Sequence, residues 1–230
     1  MKAMILAAGR GQRMRPLTDA MPKPLLPVGG KPLIQYHIER LAAAGVRELV
    51  INLAWQGAMI PAALGDGSRF GVRIAYSDEA DAALETGGGI FKALPLLGDA
   101  PFLIVNGDIW TDYPFERLVT RFGASGFAAT HDLAHLVLVP NPPQHAKGDF
   151  ALNEGRVTEA QSERGTYSGI AVYAPQFFAD CLPRAFKLLT PLLAAMRADR
   201  ISGERYEGSW FDIGTPQRLV ELDAMLRARV

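Results

Sequence analysis

With 230 residues, 49% of them hydrophobic and 21% charged, the chain has the composition of a globular protein with a sizeable core, which excludes intrinsic disorder. Its 24 Lys and Arg balance its 24 Asp and Glu, so no global field directs it to nucleic acid or an anionic membrane, and any anion site must be local. The lone cysteine, Cys181, excludes an intrachain disulfide, a Cys-rich zinc site and a CxxC redox motif.

The first apolar run, "AMILAA", stops at Gly9, too short for a signal peptide or a membrane span, which predicts a cytoplasmic protein. Met4 to Ala7 reads as a buried strand. "PLIQYHIERLAAAG" carries Ile34, Ile38 and Leu41 at helical spacing, with Pro32 for the first turn and Gly45 for the C-terminal cap. "ELVINLA" and "VRIAYS" read as strands, "GGIFKALPLL" as a helix and "PFLIVNGD" as a strand ending in polar residues. This alternation predicts a mostly parallel sheet covered by helices. Phe122 to Leu133 reads as a surface loop, "HLVLVPN" as a strand, and "DFALNEGRVTEA" as a hairpin turning at Asn153 to Gly155 before the strand "YSGIAVY". "FKLLTPLLAAMRA" reads as an amphipathic helix and "RYEGSWFDIGT" as one late strand. Thr215 and Pro216 form an N-cap and first-turn pair for a last helix with Leu219, Leu222 and Leu226 on its apolar face. No linker divides the chain, so residues 1–230 are expected to form a single domain with a small lobe within roughly 110–205.

In parallel sheets ligands sit beyond the carboxyl ends of the strands. "AAGRGQRMR" lies there, and Gly9 and Gly11 allow successive N–H groups to approach phosphate oxygens, although the same pair serves a simple tight turn. Met14 occupies the last position of a Gly-x-Gly-x-x-Gly and no Walker lysine follows, which disfavours a dinucleotide cofactor and a P-loop. Arg13, Arg15 and then Lys23, held between Pro22 and Pro24, form either a solvated basic loop or a cation cluster for a polyphosphate. The prolines favour the second reading, because they reduce the entropy lost in holding the lysine. Asp108 in "VNGDIWTD" and Asp212 in "WFDIGT" each end a strand pattern. A strand-end Asp is often only a turn former, but two opposite a triphosphate loop suit Mg²⁺, which takes one or two carboxylates with phosphate and water. "LETGGGI" is either a plain helix-start turn or a place where an anion or flat base meets the backbone. Glu79 can accept a hydrogen bond from an imide or guanine N–H. His37, His131, His135 and His145 lack metal-ligand spacing and fit surface or packing roles; Cys181 fits a small core residue, and Trp210 the core or one wall of a sugar site.

The combination "LAAGRGQRMRPLT" with "PKPLLPV" closely resembles the signature of the sugar-1-phosphate nucleotidyltransferase family, and the resemblance extends over nearly the whole chain. It implies a Rossmann-like three-layer α/β/α sandwich with a mixed, mostly parallel sheet. By resemblance the loop at Ala8, Gly9 and Gly11 wraps a nucleoside triphosphate, Arg13 binds the departing phosphates and Lys23 neutralises the reacting ones. Asp108 and Asp212 match the metal-binding positions, which implies Mg²⁺. Gly87 and Gly88 match a nucleobase contact, and Asn106 a contact to the sugar or its phosphate; Arg15 has no fixed role. "KGDF", "SGI" and "AFKLLTPLL" resemble the branch that joins UTP to N-acetylmuramate-1-phosphate, with guanylyl or thymidylyl transfer to mannose- or glucose-1-phosphate, or a silent sugar-nucleotide sensor, as rivals. The lactyl carboxylate of that sugar calls for an extra cation, for which Lys147 and Arg205 are candidates, with Gly169 on the sugar side. Two features depart from the family. Its usual Glu-Lys-Pro is absent, leaving Arg164, Lys147 or Lys187 as substitutes, and the Phe122 to Leu133 loop is longer than expected.

Overall fold

The computed structural model describes residues 1–79, 84–123, 126–127 and 130–228. Strand β1 (Lys2–Leu6) leads to a small ladder, β2 (Pro27–Val28) and β3 (Lys31–Pro32), then to α1 (Leu33–Ala43), β4 (Glu48–Leu53), α2 (Met59–Leu64) and β5 (Arg73–Asp78). Next come α3 (Glu85–Leu97), β6 (Phe102–Asn106), β7 (Ile109–Thr111), α4 (Glu116–Phe122) and β8 (Ala134–Val139). The hairpin β9 (Phe150–Asn153) and β10 (Arg156–Thr158) precedes β11 (Arg164–Tyr173), α5 (Leu189–Arg197), β12 (Ile201–Arg205), β13 (Trp210–Asp212) and α6 (Pro216–Arg227).

Nine strands form one sheet in the order β5-β4-β1-β6-β11-β8-β12-β10-β9. The first four are parallel, β11 runs against its neighbours β6 and β8, and β12 is parallel to β8. Side chains alternate between the faces, as the pleat requires. Ile5, Ile51 and Val105 meet Ile38, Ile60 and Leu118 from α1, α2 and α4, while Met4, Val50 and Ile104 meet Ile90 and Leu192 from α3 and α5. The expected three-layer α/β/α sandwich with a mixed sheet results.

A third apolar cluster lies outside the sheet. Met14 from the loop after β1, Leu26, Trp110 of β7, Ile213 and Leu222 of α6 are buried together. Each large side chain removed from water contributes about 1.5–3 kcal/mol, so this cluster fastens four distant segments to one another. β7 and β13 pair beside it as a separate antiparallel ladder.

Local signals act as expected at most element ends. Gly45 takes φ +89° after α1, its N–H reaching Ala42 O while the Val46 N–H reaches Leu41 O, the two bonds of a Schellman cap. Thr215 accepts from the Arg218 N–H at the start of α6. Glu154 and Gly155 both have positive φ, which closes the β9–β10 hairpin tightly.

Two expectations change. "RYEGSWFDIGT" is not one strand: β12 has ended at Arg205, and only Trp210–Asp212 is extended, in the small ladder. β12 itself gives little signal, because Gly203 replaces a branched residue so that Val157 can pack where a Cβ would stand 2.5 Å from it. Within the 110–205 stretch, β8, β12, β10 and β9 continue the main sheet. The Phe122 to Leu133 stretch lies partly outside the described residues, yet it is not all surface: Phe127 is buried against Phe122 and Asp132 is buried in an ion pair with Arg156. No helix among the described residues is long and apolar enough to cross a membrane.

Candidate active site

The carboxyl ends of β1, β4, β5 and β6 open onto a cleft of about 1010 Å³. Its floor begins with Ala8 and Gly9. Gly11 then takes φ +62° and turns the chain so that Thr18 Oγ1 donates to its carbonyl at 2.8 Å; a Cβ there would meet Thr18 at 2.8 Å. A short 3₁₀ turn, Gln12–Met14, sends Met14 into the third cluster and leaves Arg13 exposed on the cleft wall, without hydrogen bond or ion pair to any described residue. Arg15 points elsewhere and pairs with Asp19 at 3.1 Å.

A second 3₁₀ turn, Lys23–Leu25, buries Lys23 to 7% exposure and sets its Nζ 2.9 Å from Asp108 Oδ2. Asp108 lies just before β7. The Ile213 N–H donates to the Asp108 carbonyl at 2.9 Å and Asp212 sits opposite Ile109, so the two aspartates lie at the same end of one antiparallel ladder, Asp108 entering β7 and Asp212 ending β13. Asp212 Oδ2 meets Arg218 Nη1 at 2.6 Å. Beneath β7, His37 is fully buried and donates from Nε2 to Ile109 O at 2.8 Å; burial lowers its pKa to about 4, so the ring is neutral.

The hard carboxylate oxygens of Asp108 and Asp212 fit a small divalent cation whose shell is completed by phosphate and water. Among the described residues, no group of three or more His, Cys, Asp or Glu is placed to hold a metal ion.

The opposite wall is formed by the ends of β4 and β5 and the start of α3. Asn52 accepts from the Ala7 N–H at 2.7 Å and donates to Glu79 Oε1 at 2.7 Å. Glu79 extends β5 through an N–H bond to Leu53 O and is only 4% exposed; burial raises its pKa, opposed by the Asn52 and Leu84 hydrogen bonds. Gln56 and Glu85, both in left-handed backbone that non-glycine residues seldom adopt, line this wall with Trp55. Gly87 and Gly88 do not face the cleft. Their N–H groups donate to Phe186 O, and a Cβ would strike the Phe186 ring at 2.3 Å from Gly87 and Arg184 O at 2.6 Å from Gly88. Their small size serves packing of the 184–186 segment over α3.

A bulge in β11 gives Gly169 φ +81° and places it against Asn106, where a Cβ would lie 2.6 Å from Asn106 Cγ. Trp210 Nε1 donates to Ser168 O at 2.9 Å, which ties β13 to that bulge. Lys147, Lys187 and Arg205 are exposed and do not line the cleft; Arg205 pairs with Glu207, and Arg164 is spent on the Ala160 and Glu159 carbonyls. Cys181 is partly buried against the α3 and α5 cluster, its thiol pKa raised by burial.

Sequence reasoning missed Asn52, Trp55, Gln56 and Arg218. Asn52 carried a signal, a polar residue inside the apolar run of a central strand, and so did Arg218, a cation in the first turn of a helix.

A model of the family described as "Nucleotidyl transferase" matches residues 2–161, and the chain belongs to that family. It is 50% identical, over 99% of both chains, to an N-acetylmuramate alpha-1-phosphate uridylyltransferase of Neisseria meningitidis serogroup B, and 36% identical, over 97% of this chain and 96% of the other, to one from Caulobacter vibrioides. A mannose-1-phosphate guanyltransferase of Aspergillus fumigatus is 31% identical over 94% of this chain and 62% of its own length. The fold matches that of a "Putative Glucose-1-Phosphate Thymidylyltransferase" from Bacillus anthracis with TM-score 0.85 over 99% of this chain and 95% of that one, at 20% identity.

Proposed function

We propose that this nucleotidyltransferase transfers UMP from UTP to N-acetylmuramate-1-phosphate, releasing pyrophosphate. The observation that carries the reaction is that Arg13, Lys23 and Asp108 line one cleft, with Asp212 beside them on the adjoining strand and next to the cleft-lining Gly214. The full-length 50% identity to a uridylyltransferase supports the choice of substrates.

A phosphate oxygen of the sugar phosphate attacks the α-phosphorus in line, the bond to the bridging oxygen breaks, and pyrophosphate leaves with the electron pair. No protein nucleophile is required, and catalysis rests on position and charge. Asp108 and Asp212 would hold a Mg²⁺ ion, which supplies Lewis-acid neutralisation of the phosphates when bound. Lys23, nearly buried and braced by prolines, loses little entropy in holding its charge on the reacting phosphates. Arg13 has a free guanidinium for the leaving group. Glu79 accepts the N3–H of uracil: a carboxylate offers about four lone-pair sites, and the Asn52 amide and Leu84 N–H use two of them. Asn106, backed by Gly169, faces the sugar, and the β8–β12 part of the sheet acts as the sugar-binding lobe.

The test is a matrix of nucleoside triphosphates against sugar-1-phosphates, read as pyrophosphate release. The highest kcat/KM is expected for UTP with N-acetylmuramate-1-phosphate. A higher value for GTP or dTTP, or for glucose- or mannose-1-phosphate, would overturn the substrate choice and leave nucleotidyl transfer standing.

A further inference from the structure

Arg218 has no part in the reaction as described above. It is the third residue of α6, where the helix dipole and unpaired N–H groups favour anions over cations. Its guanidinium nevertheless bends back over the helix start, Nη1 reaching Asp212 Oδ2 at 2.6 Å and the Asp212 carbonyl at 3.4 Å. Arg13 arrives at the same spot from the loop after β1. A methyl group placed on Gly214, which lines the cleft, would lie 2.9 Å from Arg218 Nη1, 3.3 Å from Arg13 Nη1 and 3.3 Å from Asp212 Oδ1. Two guanidiniums therefore converge beside a single carboxylate, and the local charge balance favours a further anion. The pairing also repeats across the ladder: Lys23 holds Asp108 as Arg218 holds Asp212.

We propose that Arg218 is a second guanidinium of the diphosphate pocket, held by Asp212 in the resting enzyme and passed to the leaving diphosphate beside Arg13 when nucleotide and divalent ion bind. The proposal rests on the nucleotidyl-transfer reading. The exchange leaves no charge unpaired: Asp212 trades one cation for another, and Arg218 trades a carboxylate for phosphate oxygens that its planar fork can grip in two places. Gly214 keeps the meeting point open, since any side chain would stand between the two guanidiniums.

Calorimetry with inorganic pyrophosphate and Mg²⁺, alongside Mn²⁺ binding followed by electron spin resonance, tests this on Arg218→Gln. Loss of a charge-assisted bond should weaken pyrophosphate on the order of tenfold or more, while free Mn²⁺ binds more tightly because Asp212 has lost its competing cation. The KM for the sugar phosphate should stay at the wild-type value. Arg218→Lys keeps the charge but not the fork; it should show a smaller loss, and it serves if the glutamine variant does not fold. A folded variant with unchanged pyrophosphate and Mn²⁺ affinities, altered only in melting temperature, would overturn the role. A wild-type enzyme that binds neither pyrophosphate nor UTP would instead overturn the nucleotidyl-transfer reading beneath it.

Discussion

The two sides of the cleft are built differently. On the reaction side, each charged residue stands next to a buried apolar one: Arg13 beside Met14, Lys23 just before Leu25, Asp108 beside Ile109 and Asp212 beside Ile213. On the outer face, Lys147 lies in an exposed turn, and Arg205, although it ends β12 next to the core-packed Tyr206, turns its side chain out to Glu207; neither lines the cleft. A charge becomes part of a site when the chain that carries it is fastened, and the fastening is hydrophobic. Two of these four anchors, Met14 and Ile213, lie in the cluster with α6, and the other two, Leu25 and Ile109, pack in the core of the main sheet.

The largest effect that could break this contrast is at the carboxylates. Asp108→Asn and Asp212→Asn are each expected to lower kcat on the order of 10³-fold with little change in melting temperature. Pyrophosphate release across a Mg²⁺ titration measures it, and near-normal turnover at limiting Mg²⁺ would remove that residue from the site. Arg13→Ala is expected to cost on the order of 10²-fold in kcat while leaving the sugar-phosphate KM unchanged; a rise in that KM alone would reassign Arg13 to the other substrate.

Met14→Ala sharpens the comparison, because Met14 is fully buried in the cluster with α6 and carries no charge. Cavity formation should cost about 2–4 kcal/mol of stability, and the loosened Arg13 loop should lower kcat about tenfold. Urea denaturation and steady-state kinetics on the same preparation check both. His37 provides a pH handle beneath Asp108. Its pKa is about 4 in the fold against an ordinary 6.5, so below pH 6.5 the unfolded chain takes up a proton that the folded chain refuses. Its contribution is complete above pH 6.5 and is lost as pH falls towards 4, with roughly 2 kcal/mol gone by pH 5. His37→Gln should flatten that slope in denaturant titrations at pH 7 and pH 5. The smallest effect is expected at Lys147→Ala and Arg205→Ala, with kcat/KM within about twofold of wild type, as for ordinary surface substitutions. A selective loss of the lactyl sugar in either variant would show that the outer face reaches the substrate.

The same contrast explains what was legible in the sequence. The parallel strands and the caps at Gly45 and Thr215 could be read because each lies in a local pattern with a physical cause, and patterns of the same kind, a positive-φ glycine and a proline brace, drew attention to Arg13 and Lys23, which the fold brings to one cleft with Asp108. β12 could not be read, since Gly203 hides a buried strand, and the three residues Trp210–Asp212 are too few to show a periodicity. Gly87 and Gly88 looked like ligand contacts because a glycine that admits a substrate and one that admits Phe186 have the same local sequence. Lys147 and Arg205 were chosen for charge, and charge does not say which way a surface side chain points: both are exposed and neither lines the cleft.

The claim that the reaction runs on position and charge, with no protein nucleophile, is most directly tested by stereochemistry. UTP made chiral at the α-phosphorus by sulfur substitution would be turned over with N-acetylmuramate-1-phosphate and the configuration of the product assigned by phosphorus NMR. A single in-line displacement requires inversion at that phosphorus. Retention would mean two displacements through a covalent nucleotidyl-enzyme and would contradict the arrangement of Arg13, Lys23, Asp108 and Asp212 described here.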